Sequence, residues 1–345
     1  MSKHAPHPDL VLTTSPFIKD PTDTRWIMWQ VNLALVPVTF AALWYYGLGT
    51  LLILSTAILG AAGSEAFLQR RVRNLPGGLN DGSAVLTGWL LGLTLPPSIP
   101  LWMAFAGGVI SIGLGKAIFG GIGGNMFNPA LVGRAFLQAA FPVAMTTWPA
   151  IETADRFTSA PATLFAPPFL TPAVDAISSA TPLARMAFDQ VQTATPDLLL
   201  GATTGSLGEA SAALILLAGI YLAVRRVLNW RIPVAILGSA FAFGGILYLT
   251  NPEVYPTPEF HLFAGGLMLG AVFMATDPVS SPLTQKGCWI FGVGIGVLVV
   301  LIRQFGGLPE GVMYAILFMN AATPLIDRLT QARTFGSDRA ERFTR

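Results

Sequence analysis

Ten apolar stretches, punctuated by Gly and Pro, constrain this chain more than any other feature. They run roughly over residues 26–47, 49–69, 82–95, 100–119, 126–141, 208–226, 232–250, 260–275, 287–305 and 310–329. About 20 apolar residues in a helix cross a bilayer, and somewhat fewer do so where the helix is broken or tilted. The pattern therefore predicts an all-α polytopic membrane protein with about ten transmembrane helices. Composition agrees, with 53% of residues hydrophobic and only 11% charged, against about 25% charged in an ordinary soluble domain. Membrane lipid is the expected surrounding, and nucleic acid is not an expected partner. The single cysteine, Cys288, excludes a disulfide within the chain and a Cys-ligated cluster held by this chain alone. His4, His7 and His261 form no metal-spaced pair, so no metal site is expected. Residues 1–24 are polar and contain Pro, without the apolar core of a cleaved signal.

Basic residues orient the spans. Lys3, Lys19 and Arg25 precede the first span; Arg70, Arg71 and Arg73 follow the second; Arg225, Arg226 and Arg231 lie between the sixth and seventh; Arg328, Arg333, Arg339, Arg342 and Arg345 follow or end the tenth. With ten spans all four clusters fall on one side, which the positive-inside rule makes cytoplasmic. Arg303, near the end of the ninth span, is the main exception. The expected organisation is a cytoplasmic tail (1–25), a first membrane repeat (26–141), an external loop (142–207), a second repeat (208–329) and a cytoplasmic tail (330–345). A loop that long in a compact protein is functional or disordered.

The two halves echo each other. Phe105-Ala-Gly-Gly108 recurs as Phe263-Ala-Gly-Gly266, and Arg70-Arg71 as Arg225-Arg226. Each half carries a Gly/Pro-interrupted stretch, Gly120–Pro129 and Thr276–Gly287. Five spans per half is odd, so the repeats are expected to be inverted, a plan that puts the working site at the repeat interface. Gly120-Gly-Ile-Gly-Gly124 has neither the spacing nor the strand–turn–helix setting of a nucleotide loop, and Lys116-Ala117 is not a phosphate-binding Gly-Lys-Ser/Thr. A broken membrane helix is the better reading there.

Three acids lie at or near membrane depth on the cytoplasmic side of this topology: Glu65, Asp277 and Asp327. Ionisable groups at such depth are costly and often functional, so they are candidates for a cation path. The plainer alternatives pair Glu65 with Arg70 and Asp327 with Arg328 or a neighbour, and make Asp277-Pro278 the cap of a broken helix. Asn128-Pro129-Ala130 and Lys286-Gly287 are expected to shape the broken helices, and Cys288 to pack as a small apolar residue.

The most informative stretch lies in the external loop: Asp175-Ala-Ile-Ser178-Ser179-Ala180-Thr181-Pro182. On composition alone it is a Ser/Thr-rich turn ending at Pro182. It resembles, however, the flavinylation motif read by periplasmic flavin transferases, Asp-x-x-(Ser/Thr)-(Gly/Ser)-Ala-Thr, with Asp175, Ser178, Ala180 and Thr181 matching and Ser179 standing where Gly is more usual. The whole chain resembles the D subunit of the Rnf electron-transport complex, homologous to the B subunit of the sodium-translocating NADH:quinone reductase. The likeness extends through Gly120–Arg134, Met274–Lys286 and Pro309–Asn320. It implies a urea-transporter-like fold of two inverted five-helix repeats in a bacterial inner membrane, with both termini cytoplasmic and residues 142–207 periplasmic. It implies FMN joined by a phosphoester to Thr181, and leaves open a second, non-covalent flavin or quinone pocket beside Asn128-Pro129-Ala130 and Lys286-Gly287. It further implies the other membrane and redox subunits of the complex as partners, exchange of electrons between ferredoxin and NAD, and coupled movement of Na⁺ or H⁺. Glu65, Asp277 and Asp327 inherit the suggestion of sodium uptake. A stand-alone solute channel of the same fold accounts for the broken helices and leaves the Asp175–Thr181 motif without a purpose.

Overall fold

The computed structural model describes residues 23–71, 79–149, 156–158, 160–168, 179–201, 203–307 and 310–331. The two tails, and with them most of the basic residues used to orient the chain at its ends, lie outside the described residues, as do Arg73, Asp175 and Ser178. Among the described residues the chain is all-helical: α1 (Thr24–Tyr46), α2 (Leu48–Arg71), α3 (Ser83–Leu93), α4 (Leu101–Ile112), α5 (Pro129–Ala140), α6 (Pro142–Thr146), α7 (Pro182–Asp189), α8 (Thr195–Leu200), α9 (Ala212–Val224), α10 (Arg231–Thr250), α11 (Pro258–Phe263), α12 (Leu267–Leu269), α13 (Gln285–Phe305) and α14 (Val312–Thr330). Four of them, α1, α2, α10 and α13, have the length and apolarity to cross a membrane. The others in the apolar stretches are shorter, or are broken as expected. The stretch 260–275 divides into α11, α12 and a π-helical segment, Gly270–Met274, and α4 likewise ends in a π-helical segment, Gly113–Ala117.

Local chemistry explains the boundaries. Asp23 caps α1 by accepting from the Trp26 amide at 2.7 Å. Gly47, at φ +68°, ends α1 and lets α2 begin one residue later. A Cβ there would overlap the carbonyl of Arg156, which accepts from Leu48 N at 2.8 Å. After α3 the chain runs through Leu95-Pro-Pro-Ser-Ile-Pro100 without regular structure, wholly buried. Such backbone survives at membrane depth only inside protein. Here Leu95 O accepts from Leu207 N, and Ser98 Oγ donates to Thr147 O.

The core is continuous through the molecule, with Leu35, Ile53, Leu91, Ile99, Phe291 and Ile316 fully buried. The outer surface is the reverse of a soluble protein's: Phe40, Leu59, Leu217 and Leu249 are 65%, 63%, 60% and 81% exposed. Apolar side chains facing outward along helices of this length are suited to lipid. Together with the four spans, they define a multi-pass membrane protein.

Small residues bring the helices together. Gly60 and Gly108 let α2 and α4 meet backbone to backbone, and Gly292 and Gly296 do the same for α13 against Ala235, Ile236 and Ala240 of α10. The packing order repeats: α4 lies between α2 and α5, and α13 between α10 and α14. The two halves also tie across. Arg134 of α5 holds Glu310 just before α14, while Asn320 of α14, in the amide orientation that satisfies both partners, accepts from Asn128 N just before α5.

The sequence echoes are a different matter. Phe105–Gly108 lies inside α4, where Gly108 backs onto α2, whereas Phe263–Gly266 lies at the break after α11. Arg70 ends α2, but Arg225 and Arg226 follow α9, which packs against α1. These matches occupy unlike positions, because a Gly pair serves close packing in one place and a helix break in the other. The close approaches that carry physical content are those at Gly60 and Gly108 in the first half and at Gly292 and Gly296 in the second.

Candidate functional site

Thr181 sits at the entry of α7. Its Oγ1 accepts from the Ala184 amide at 3.2 Å, and Pro182 takes the first helical position, which suits it because that N–H has no helical partner. The preceding turn is fastened down: Ser179 N donates to Trp148 O at 2.8 Å, and its hydroxyl lies 3.1 Å from Thr204 Oγ1. Leu183 and Met186, on the inner face of α7, pack with Leu198, Phe260 and Ala264 in a small core of their own. The described residues on either side of Thr181 are therefore packed in place. Thr181 itself is only 9% exposed, and it borders a cavity of about 660 Å³ whose lining also includes Arg134, Trp148, Glu209, Glu310 and Tyr314.

Charged residues from four separate elements converge on that cavity or just behind it. Arg134 Nη2 donates to Glu310 Oε2 at 2.6 Å, the two side chains being 10% and 20% exposed. Glu310 Oε1 accepts from Gly266 N at 3.0 Å. Glu209 accepts from Ser206 Oγ at 2.7 Å. Arg303, at the end of α13, donates to His261 O at 2.6 Å and Ala264 O at 2.8 Å, which satisfies carbonyls freed where α11 ends. This accounts for the arginine that broke the charge pattern: it serves a helix break. Gly265, at φ +67°, makes the break, and a Cβ on it would come within 2.6 Å of Leu183 Cδ1, so the break and the Thr181 helix are in contact.

Sequence reasoning missed Arg134, Glu209 and Glu310 as site residues. A signal was present for Arg134, a lone arginine in the apolar stretch 126–141, since a cation at that depth needs a partner. Glu209 and Glu310 gave weaker signals, each lying at the edge of an apolar stretch.

The other end of the molecule holds a second polar centre. Helix α13 has 21 residues, so its ends lie about 30 Å apart at 1.5 Å per residue. Arg303 is at one end, and the Thr276–Thr284 connection at the other. There Lys116, in the π-helical segment after α4, donates to Glu65 at 2.6 Å and to Ser83 Oγ at 2.7 Å, with both charged side chains 5% exposed. Glu65 thus pairs with Lys116 and not with Arg70: the wider π turn carries the ammonium into the α2–α3 contact. Asn128 caps α5 by accepting from Ala130 N and Leu131 N, and donates to Met274 O. A cavity of about 740 Å³ lies between, lined by Ser83, Lys116, Asn125, Asn128, Thr276 and Asp277 among apolar walls.

The three candidate acids are brought only partly together. Glu65 reaches the 740 Å³ cavity through Lys116, and Asp277 borders it directly. Asp277 accepts from Val279 N and Ser280 Oγ, closing its own turn, while the cap of α13 is Thr284. Asp327 stands apart, accepting from Leu283 N at 3.1 Å beside Thr284, Pro324 and Arg328. Cys288 is buried and donates to Pro282 O. Lys286 and Gly287 form the first turn of α13. Of the flavinylation motif, Ser179, Ala180 and Thr181 are in view; Asp175 and Ser178 are outside the described residues.

A helical, multi-pass protein with a cavity against a helix break at each end defines a class of membrane-embedded proteins with sites inside the bundle. The chain belongs to the NQR2, RnfD, RnfE family, whose model matches residues 11–336. It is 40% identical over 342 residues to the D subunit of the proton-translocating ferredoxin:NAD(+) oxidoreductase complex of Clostridium ljungdahlii, covering 95% of this chain and 96% of that one. It is 40% identical over 346 residues to the D subunit of the ion-translocating oxidoreductase complex of Aeromonas hydrophila, at 95% and 99% coverage. To the D subunit of the Na(+)-translocating ferredoxin:NAD(+) oxidoreductase complex of Acetobacterium woodii it is 38% identical over 332 residues, at 95% and 96% coverage. The relatives named for protons and for sodium are almost equally similar, so overall identity does not choose the ion.

Proposed function

We propose that this chain is the membrane subunit of an Rnf-type complex that couples electron transfer between ferredoxin and NAD to the movement of Na⁺ or H⁺, with FMN held by a phosphoester at Thr181. Family membership supports the complex. The observation that carries the flavin is Thr181 at the first turn of a docked helix, on the rim of a cavity that also presents a cation and aromatic walls. The residues fit the group. A phosphate on Thr181 Oγ1 meets the amide end of α7 in place of the Ala184 contact, where helix dipoles favour anions. Trp148 and Tyr314 line the cavity beside Thr181 and supply aromatic surface to it. Bound there, FMN supplies electron transfer to and from neighbouring redox centres. The chain's own part is to hold the ring through a tether that prevents its loss, to enclose it, and to set the charge around it.

The same reading gives the wider arrangement. The matched packing of α2–α4–α5 and α10–α13–α14, and the crossed ties of Arg134 and Asn320, support ten membrane segments in two inverted repeats. The inner membrane, cytoplasmic termini, and a periplasmic 142–207 loop loaded by a flavin transferase follow from the basic clusters and the motif. The cavity at Lys116 is the candidate place for a second, non-covalent flavin, and Asp277 and Glu65 at its edge are the better candidates for the ion path, with Asp327 the weaker. Other membrane and redox subunits complete the electron route.

Flavin fluorescence on a denaturing gel tests the central step. The chain, produced with a flavin transferase, gives a fluorescent band, and Thr181→Ala gives none. A wild-type band without fluorescence rejects covalent FMN, and fluorescence that survives Thr181→Ala moves it to another residue.

A further inference from the structure

Arg134 has more donors than Glu310 uses. It is 8% exposed, it lines the Thr181 cavity, and its Nε is buried with no partner among the described residues. Glu310 engages Nη2 alone, so the rest of the guanidinium in the cavity wall is left to meet a ligand acceptor. Glu310 holds the guanidinium from one side at 2.6 Å, and is itself fixed by the Gly266 amide. The guanidinium is thereby oriented before anything binds.

We propose that Arg134 contacts the flavin ring, and specifically the edge of its pyrimidine ring that becomes negative on reduction. The proposal rests on the Thr181 tether. The phosphate has its own partner in the amide end of α7, which leaves the arginine for the ring. Two electrons and one proton entering the ring leave one negative charge, shared between N1 and the adjacent carbonyl oxygen. A guanidinium N–H donated there stabilises the reduced form over the oxidised one and raises the midpoint potential.

The test is an equilibrium redox titration of the purified complex with dithionite and mediators, read from flavin absorbance, alongside gel fluorescence to count attached flavin. Arg134→Gln is expected to keep the fluorescent band and to hold about tenfold less reduced flavin at a fixed potential, which is about 30 mV for a two-electron couple. Arg134→Lys, which keeps the charge and loses the forked guanidinium donors, falls between. Because Arg134→Gln leaves Glu310 alone, the Arg134→Gln/Glu310→Gln pair is compared with Glu310→Gln, and the same lowering is expected. A full flavin load with an unchanged potential in both comparisons overturns the proposal. So does loss of the fluorescent band in Arg134→Gln while the wild type keeps it, because the arginine then serves the attachment and not the ring. A wild type without fluorescence overturns the tether itself, and this proposal with it.

Discussion

The two polar centres of this molecule use similar parts in opposite ways. At the Lys116 end, the Lys116–Glu65 pair joins elements of the first half, is 5% exposed on each side, and has Ser83 as a third partner. At the Thr181 end, the Arg134–Glu310 pair bridges the two halves, is 10% and 20% exposed, and borders a cavity. A buried ion pair contributes little net stability, yet breaking one by removing a partner is strongly destabilising. The closed pair is thus a fastener. Both pairs border a cavity, but the Arg134–Glu310 pair is the more exposed of the two and ties the two halves together.

The largest effect separates the two ends outright. Thr181→Ala removes all covalent flavin fluorescence, whereas Lys116→Met, in whatever fraction folds, keeps a full load per folded chain. A fluorescent band in the first variant, or a flavin-free folded population in the second, breaks the division of labour between the ends.

Stability gives the next contrast. Glu65→Ala strands the Lys116 ammonium among buried groups and is expected to cost about 3–5 kcal/mol. Glu310→Gln keeps one acceptor oxygen, for Gly266 N or for Arg134 but not both, in a more exposed setting, and is expected to cost about 1–3 kcal/mol. Thermal unfolding in detergent measures both, and equal losses would remove the distinction between a closed and an open pair. Gly265→Ala follows, at about 1–3 kcal/mol for a non-Gly residue at positive φ. It also pushes Leu183, so the Thr181 helix is expected to loosen, read as faster proteolysis of the 142–207 loop than in Gly245→Ala, where the nearest atom is an ordinary contact at 3.5 Å.

The helices were legible in the apolar pattern: every apolar stretch contains helix, four of the helices are long and apolar enough to cross a membrane, and the ends of α2, α10, α13 and α14 fall within two residues of the expected ones. Thr181 was legible only as part of a motif, since locally it is an N-cap like many others. The site around it was not legible. Arg134, Glu209 and Glu310 are far apart in sequence, and only tertiary packing of α5 beside α14 joins them. The expectation of two related halves came from tetrapeptides that fold differently, because glycine marks both close contacts and breaks. Arg303 looked like a topological exception for a similar reason: sequence shows its charge and hides the carbonyls it satisfies.

The smallest effect concerns the acids, and it sharpens what the Lys116 end does. Asp277 borders the 740 Å³ cavity and uses its oxygens on its own turn, so a cation in that cavity can compete for them. Asp327 holds the Leu283 amide at a separate recess, outside that cavity, and its loss frays the start of α13. If the ion enters through the cavity, Asp277→Asn lowers ion-dependent ferredoxin:NAD turnover of the complex by roughly tenfold, as removing a charged ligand at membrane depth does, while Asp327→Asn changes it less than about twofold. Flavin load stays constant in both, which ties the loss to the ion and not to the redox group. A stronger effect at Asp327 than at Asp277 would move the path away from the cavity and leave the Lys116 centre a fastener alone.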